Sequence, residues 1–276
     1  MNTETTSPPS GLASPSCCVS LPAPYYERGG ITIYHGDCRE IMPALRDIAC
    51  CVTSPPYNQL GSRMFERGGM HSETKWASNT RHTSYADDME ESAYAEWLAE
   101  VLGGIRDAMK PGGSVFMNHK CRWRNKKLLH PIDLVRGIEG LNLRQELIWH
   151  RAGSTTLNAR MFAPNDERIY WMIRDGANWT WNQHAASWLS IWQIAQDNDA
   201  NGHPCPYPER IPARCIEATT AIGETVLDPF SGSGTTIRVA KDLGRKAIGI
   251  ELEERFCEMA ALRLAQDVLN FDSHNA

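Results

Sequence analysis

None of the chain's nine cysteines forms a Cys-x-x-Cys pair, and four of them stand as two adjacent pairs, Cys17-Cys18 and Cys50-Cys51. Adjacent cysteines make poor disulfides and the zinc-binding spacing is missing, so reduced thiols are expected and a metal site is not. No apolar run reaches the length of a membrane span, and no basic patch followed by an apolar core opens the chain. These absences exclude a membrane segment and a signal peptide, and a cytoplasmic protein is expected. Positive charge is also short: 28 Lys and Arg stand against 33 Asp and Glu, a formal net charge of −5. Bulk charge therefore does not announce a polyanion as partner.

What is present is ordinary in bulk and uneven in detail. The 276 residues, 42% hydrophobic and 22% charged, suffice for one large α/β domain. Residues 119–127 carry five basic side chains (Lys120, Arg122, Arg124, Lys126, Lys127) and no acidic one, whereas 251–276 carry six acidic residues against two arginines. The basic segment is either a face for phosphates or a solvated loop. Residues 1–24, rich in Ser, Pro and Thr without apolar period, are expected to be a disordered lead-in to a single domain over 25–276.

The chain is organised around Thr53-Ser54-Pro55-Pro56-Tyr57. The apolar run Ile48–Val52 before it has the length of a buried strand, and two prolines forbid that strand to continue. Proline also holds the residue before it extended, which stiffens Ser54 and Pro55. The turn offers a hydroxyl, one or two free carbonyls and an aromatic face, which suits a planar group bearing an NH2. Ser-Pro-Pro alone is weak: Ser7-Pro8-Pro9 has neither a strand before it nor an aromatic after it. Cys50 and Cys51 are expected to pack in the strand.

Along the chain, strands are expected at 31–34, 114–117, 145–149, 168–173, 225–227 and 246–250. Helices are expected at 39–45, 94–109, 211–219, from the glycine loop to 243, and at 253–269. Two polar stretches, about 58–88 and 176–203, are expected as insertions facing the substrate; the second holds Trp179, Trp181, Trp188 and Trp192, which core packing explains more simply than stacking. Strands alternating with helices imply α/β architecture, a doubly wound, mostly parallel sheet with ligands at the strands' carboxyl ends.

A second strand–loop–helix unit runs through Asp228-Pro229-Phe230-Ser231-Gly232-Ser233-Gly234-Thr235-Thr236. No lysine follows the last glycine, so it is not a P-loop, and Ile237 stands where a dinucleotide fingerprint wants its third glycine. Asp228 would repel a pyrophosphate but suits an ammonium. Glu251, at the end of the next strand, is placed to hold two ribose hydroxyls. A ligand with a ribose and a cationic amino acid end is S-adenosyl-L-methionine.

With both motifs in view, the sequence resembles the amino-group DNA methyltransferases, in their permuted β group with the catalytic motif before the cofactor motif. The resemblance covers about 31–264. It implies a circularly permuted class I S-adenosylmethionine-dependent methyltransferase fold, with Ser54, Pro55, Pro56 and Tyr57 as catalytic residues. It implies cofactor contacts from Asp37, Asp228, Phe230, Gly232, Gly234, Thr235 and Glu251. Asp37 is the candidate for the adenine amine, and His203–Glu209 resembles the segment closing that pocket, with Tyr207-Pro208 where many adenine-specific relatives carry Lys-Pro. Ser54 is typical of the cytosine-N4 enzymes, whereas the adenine-N6 enzymes mostly carry Asp or Asn. The implied partner is double-stranded DNA, with a flipped base stacked on Tyr57 and its NH2 bonded to Ser54 and the Pro55 carbonyl. A cognate restriction endonuclease acting on the same site accompanies many such enzymes. DNA contacts are expected from Arg63, Arg67, Lys75 and Arg81, from Lys120, Arg122 and Arg124, and from Arg151 and Arg160. No general base is apparent in the sequence. The rival readings are adenine-N6 transfer, transfer to a non-DNA amine or amide, and an inert cofactor- or DNA-binding protein.

Overall fold

A computed structural model describes residues 20–59, 88–151, 161–195 and 208–265. Its strands, in chain order, are β1 (Tyr26–Arg28), β2 (Ile31–His35), β3 (Ile48–Thr53), β4 (Met109–His119), β5 (Arg122–Arg124), β6 (Lys127–Leu129), β7 (Leu141–His150), β8 (Asp166–Arg174), β9 (Ile191–Gln193), β10 (Thr225–Asp228) and β11 (Lys246–Glu251). The α-helices are α1 (Cys38–Ile41), α2 (Glu91–Ala108), α3 (Ile132–Val135), α4 (Arg210–Thr219), α5 (Thr235–Asp242) and α6 (Glu254–Ala265).

All strands but the β5–β6 hairpin join one nine-stranded sheet in the order β1-β2-β11-β10-β3-β4-β8-β7-β9. The five strands from β2 to β4 in that order run parallel. β8 turns back antiparallel to β4, and β7 antiparallel to β8, forming the hairpin expected from the apolar runs at 145–149 and 168–173.

Period-two alternation sorts side chains between two cores. Cys50 and Val52 face one with Val226, under α4, α5 and α6; Cys51 and Leu227 face the other, under α2. On the second face α2 starts at Glu90, whose carboxylate accepts from the Ser92 N–H at 2.7 Å, and buries Tyr94, Leu98, Val101, Leu102 and Ile105. Each such apolar side chain contributes about 1.5–3 kcal/mol on burial, so this face and not helix propensity fixes α2.

This topology positions the site. β10 leads through α5 to β11 on one side, and β3 leads through α2 to β4 on the other. The crevice between the carboxyl ends of β10 and β3 is therefore the switch point, where open α/β sheets bind ligands.

Two expectations shift. Lys110–Gly113, read as the stop of a helix ending at 109, already belongs to β4; Gly112 sits at φ +74, and a Cβ there would lie 2.5 Å from the Asn178 carbonyl oxygen. The described part of the second insertion, 176–195, is built onto the sheet. It supplies β9, which pairs with β7, and its Trp179 and Trp181 pack on Trp171 with centroids at 6.5 and 5.3 Å.

Candidate active site

The catalytic turn leaves β3 at Thr53, and the glycine loop leaves β10 at Asp228; the two are tied directly. Thr53 Oγ1 donates to Asp228 Oδ1 at 2.9 Å, and the Phe230 N–H donates to the same oxygen at 3.2 Å. Asp228 is 2% exposed, and burial pushes its carboxyl up to about 6 despite these donors. A nearly enclosed carboxylate with so costly a charge is a fitting counter-group for a ligand cation.

The loop holds its shape through its backbone. Gly232 has φ +50 and Gly234 φ +83, the latter at the start of α5. The Ser231 N–H donates to the Ile250 carbonyl at 3.0 Å and the Gly232 N–H to Glu251 Oε2 at 2.8 Å. Glu251 Oε1 accepts from the Glu253 N–H at 2.8 Å, so the acid expected at the ribose also clamps the loop. Thr235 is buried and its hydroxyl accepts from Arg263 at 3.1 Å. The Ser231 hydroxyl oxygen is buried without a hydrogen-bond partner among the described residues.

Next to the loop lies a cavity of about 230 Å³ lined by Asp37, Pro56, Tyr94, Trp97, Phe230 and Leu252, among others. Four of these are the ends of separate parallel strands or the loops just after them, as a ligand at a switch point requires. Trp97 and Phe230, 5.7 Å apart, supply aromatic walls. Asp37 caps α1 and is held by Arg39, whose guanidinium reaches it at 2.6 Å and lowers its carboxyl below the usual range. The cavity, the buried carboxylate and the glycine backbone fit a nucleoside bearing a cationic tail.

The turn, by contrast, is held by side chains from distant elements. Ser54 Oγ and the Tyr57 hydroxyl are 2.7 Å apart; Tyr57 also accepts from Asn118 Nδ2 at 2.7 Å and donates to Glu167 Oε2 at 3.2 Å. Asn118 bridges to Glu167 Oε2 at 2.8 Å, and Arg151 lies 3.4 Å from Glu167 Oε1. The Tyr57 ring packs on His119, centroids 4.6 Å apart, with Lys120 Nζ 5.7 Å from the ring centre. Full burial holds His119 down at about 3, so its ring is neutral. The Tyr94 hydroxyl lies 2.9 Å from His119 Nε2 and donates to the Pro56 carbonyl at 2.7 Å. The Pro56 carbonyl is thus taken, and of the two proline carbonyls only that of Pro55 has no donor among the described residues.

The basic segment calls for a correction. Arg122, expected on the DNA face, is turned inward: its side chain is 3% exposed, pairs with Glu91 at 2.8 Å and lies over the Tyr94 ring. Arg124 also pairs with Glu91 at 2.9 Å and donates to the Asn58 and Met89 carbonyls. Both fasten the far end of the turn to the start of α2. A charge count along the sequence cannot tell an outward arginine from an inward one; Glu91, some thirty residues upstream, decides it. Arg151 likewise faces Glu167 within the site. Arg63, Arg67, Lys75, Arg81 and Arg160 lie outside the described residues, as does 203–207.

Sequence reasoning missed Asn118, His119, Glu167, Tyr94 and Trp97. The available signals were polar residues directly after the apolar run 114–117, and a glutamate just before the run Ile169–Ile173. Cys50 and Cys51 are buried, and burial pushes the Cys50 thiol up to about 12, which fits packing and not nucleophilic attack. Among the described residues there is no His/Cys/Asp/Glu group able to hold a metal, and no helix long and apolar enough to cross a membrane.

Comparison with known proteins agrees with this geometry. Residues 48–262 match the N6/N4 DNA methylase family. The Type II methyltransferase M.ScaI of Streptomyces caespitosus is 25% identical, over 89% of this chain and 84% of its own. M2.DpnII of Streptococcus pneumoniae is 24% identical, over 89% and 94%. Among solved structures, PvuII DNA methyltransferase (cytosine-N4-specific) superposes with a TM-score of 0.70 at 18% identity, over 89% of this chain and 90% of that one. A DNA modification methylase from Thermus thermophilus, complexed with S-adenosyl-L-methionine, superposes with a TM-score of 0.61 at 24% identity, over 87% and 95%. The fold is that of the class I S-adenosylmethionine-dependent methyltransferases, and the chain belongs to the N6/N4 DNA methylase family.

Proposed function

We propose that this DNA methyltransferase moves the methyl group of S-adenosylmethionine to the exocyclic N4 amine of a cytosine flipped out of duplex DNA. It is assigned to the permuted β group because the catalytic strand precedes the cofactor strand in the chain. The observation that carries the choice of base is Ser54: a neutral hydroxyl stands at the first position of the Pro-Pro-Tyr turn, 2.7 Å from the Tyr57 hydroxyl. Serine there is the mark of the cytosine-N4 enzymes.

When bound, S-adenosylmethionine supplies an electrophilic methyl group. Asp228 would hold its ammonium, Glu251 its ribose hydroxyls, and Asp37 with Phe230 its adenine, while Gly232, Gly234 and Thr235 shape the loop. Ser54 Oγ and the Pro55 carbonyl accept from the base's NH2 and aim the nitrogen lone pair; the Tyr57 face not covered by His119 stacks on the base. Flipping costs roughly a few kcal/mol of unstacking, which phosphate contacts offset. Lys120, Lys126 and Lys127, with Arg63, Arg67, Lys75, Arg81 and Arg160, are our candidates for those contacts. The kinship with Type II methyltransferases leads us to infer a cognate endonuclease for the same site.

Nucleoside mass spectrometry of unmethylated mixed-sequence duplex DNA, incubated with protein and cofactor, tests the reading. N4-methylcytosine is expected. N6-methyladenine would overturn the assignment of base, and no methylated base despite cofactor binding by calorimetry would favour the inert reading.

A further inference from the structure

We propose that Glu167 is the final acceptor of the proton released by the target amine, reached through Ser54 and Tyr57. The proposal rests on amine methylation in DNA, which cytosine-N4 and adenine-N6 transfer share, and not on which base is used.

The direction of the hydrogen bonds carries the argument. An ionised carboxylate can only accept. Tyr57 must therefore give its one hydroxyl proton to Glu167 Oε2, 3.2 Å away. With that proton committed, the 2.7 Å contact between Tyr57 and Ser54 requires the Ser54 hydroxyl to be the donor. Ser54 is left with its lone pairs towards the place of the NH2. Asn118, donating to both the Tyr57 oxygen and Glu167 Oε2, holds the chain in line. Glu167 is 6% exposed, and a buried carboxylate without a task would be costly. Arg151 balances it on the other oxygen.

When the amine nitrogen bonds to the methyl carbon, the electron pair of the broken carbon–sulfur bond stays on sulfur. The nitrogen then carries a positive charge and must shed one proton. That proton passes to Ser54 Oγ as the Ser54 proton passes to Tyr57 and the Tyr57 proton to Glu167 Oε2. Ser54 and Tyr57 end as hydroxyls again, Glu167 ends as a neutral carboxylic acid, and no charge is left on the base. Glu167 touches none of the reacting atoms. It acts through Tyr57, as a positioning residue that also stores the proton.

The groups facing this chain are Asn118 on β4, Arg151 after β7, and His119 and Lys120 beside the Tyr57 ring. Four full-length variants test the proposal: Glu167→Gln, Glu167→Asp, Tyr57→Phe and the double Tyr57→Phe/Glu167→Gln. Single-turnover methylation of mixed-sequence duplex DNA should slow about 100-fold in Glu167→Gln, with DNA and cofactor affinities unchanged. The double variant should be no slower than the slower single one, since both cut the same chain. Glu167→Asp should recover part of the rate. In the cofactor-free protein, the ultraviolet titration of the Tyr57 phenol, taken against Tyr57→Phe, should move to lower pH in Glu167→Gln because a neighbouring negative charge is gone. A wild-type rate in Glu167→Gln, additive effects in the double variant, or a phenol titration that does not move would each overturn the proposal. If the product is N6-methyladenine with the same dependence on Glu167, the proton route stands and the cytosine assignment falls.

Discussion

The glycine loop and the Ser-Pro-Pro-Tyr turn lie side by side at the carboxyl ends of β10 and β3, yet they keep their shapes by opposite means. Residues 228–236 shape themselves and their immediate neighbour strand: left-handed Gly232 and Gly234, and amides donated to Ile250 and Glu251. Residues 53–57 are shaped by others: Tyr94 from α2, Asn118 and His119 from β4, Glu167 from β8 and Arg151 after β7. One hydrogen bond, Thr53 to Asp228, joins the two. A shape written in backbone angles fails at single residues. A shape written in side-chain contacts loses a little with each partner.

The sharpest break should come at Gly234. A Cβ there would lie 2.9 Å from the Ala260 Cβ, on a backbone at φ +83 that side chains rarely adopt. Strain and overpacking together should cost Gly234→Ala about 3 kcal/mol or more, read by urea denaturation, with loss of cofactor binding by calorimetry. A variant with wild-type stability would mean that the loop is held from outside, as the turn is.

Asp228 comes next and separates stability from function. Its folded carboxyl is raised from 3.8 to about 6, so the folded chain binds a proton that the unfolded chain has lost between those values. Its favourable contribution is thus present below pH 4 and is lost as pH rises to about 6, a change of about 3 kcal/mol at 1.36 kcal/mol per pH unit. Asp228→Asn should remove that slope from the stability–pH curve while weakening cofactor binding at least tenfold by calorimetry. An unchanged slope would show that another group titrates there.

What could be read from the sequence follows the same division. Proline and glycine act on their own backbone, so the turn after Ile48–Val52 and the loop after Thr225–Leu227 stood out, each at the expected strand end. The parallel strands and α2 followed from local periodicity. The inner partners of the turn did not, because they meet only through sheet register. Thr53 pairs with Met117, and Asn118 with Ile169, which brings Asn118 and Glu167 beside Tyr57. Register across five strands is a property of the whole sheet. Arg122 misled for the same reason, since its partner Glu91 arrives on a helix from elsewhere.

The smallest effect is the most discriminating. Tyr94 gives its hydroxyl to the Pro56 carbonyl at 2.7 Å and lies 2.9 Å from His119 Nε2, while its ring is packed in the α2 core. Tyr94→Phe keeps the ring and the burial and removes only these contacts. The stability cost should be about 1 kcal/mol, that of one buried acceptor left without its partner. If neighbouring side chains hold the turn, freeing Pro56 also loosens Ser54 and Pro55, whose oxygens must meet the amine. Single-turnover methylation should then fall about tenfold, since small misplacements of reacting groups are costly, while cofactor affinity stays as it was. If the two prolines suffice to hold the turn, the same loss of stability will appear with no change in rate. In that case the turn belongs with the loop among self-shaped segments, and the contrast between them is one of residue type alone.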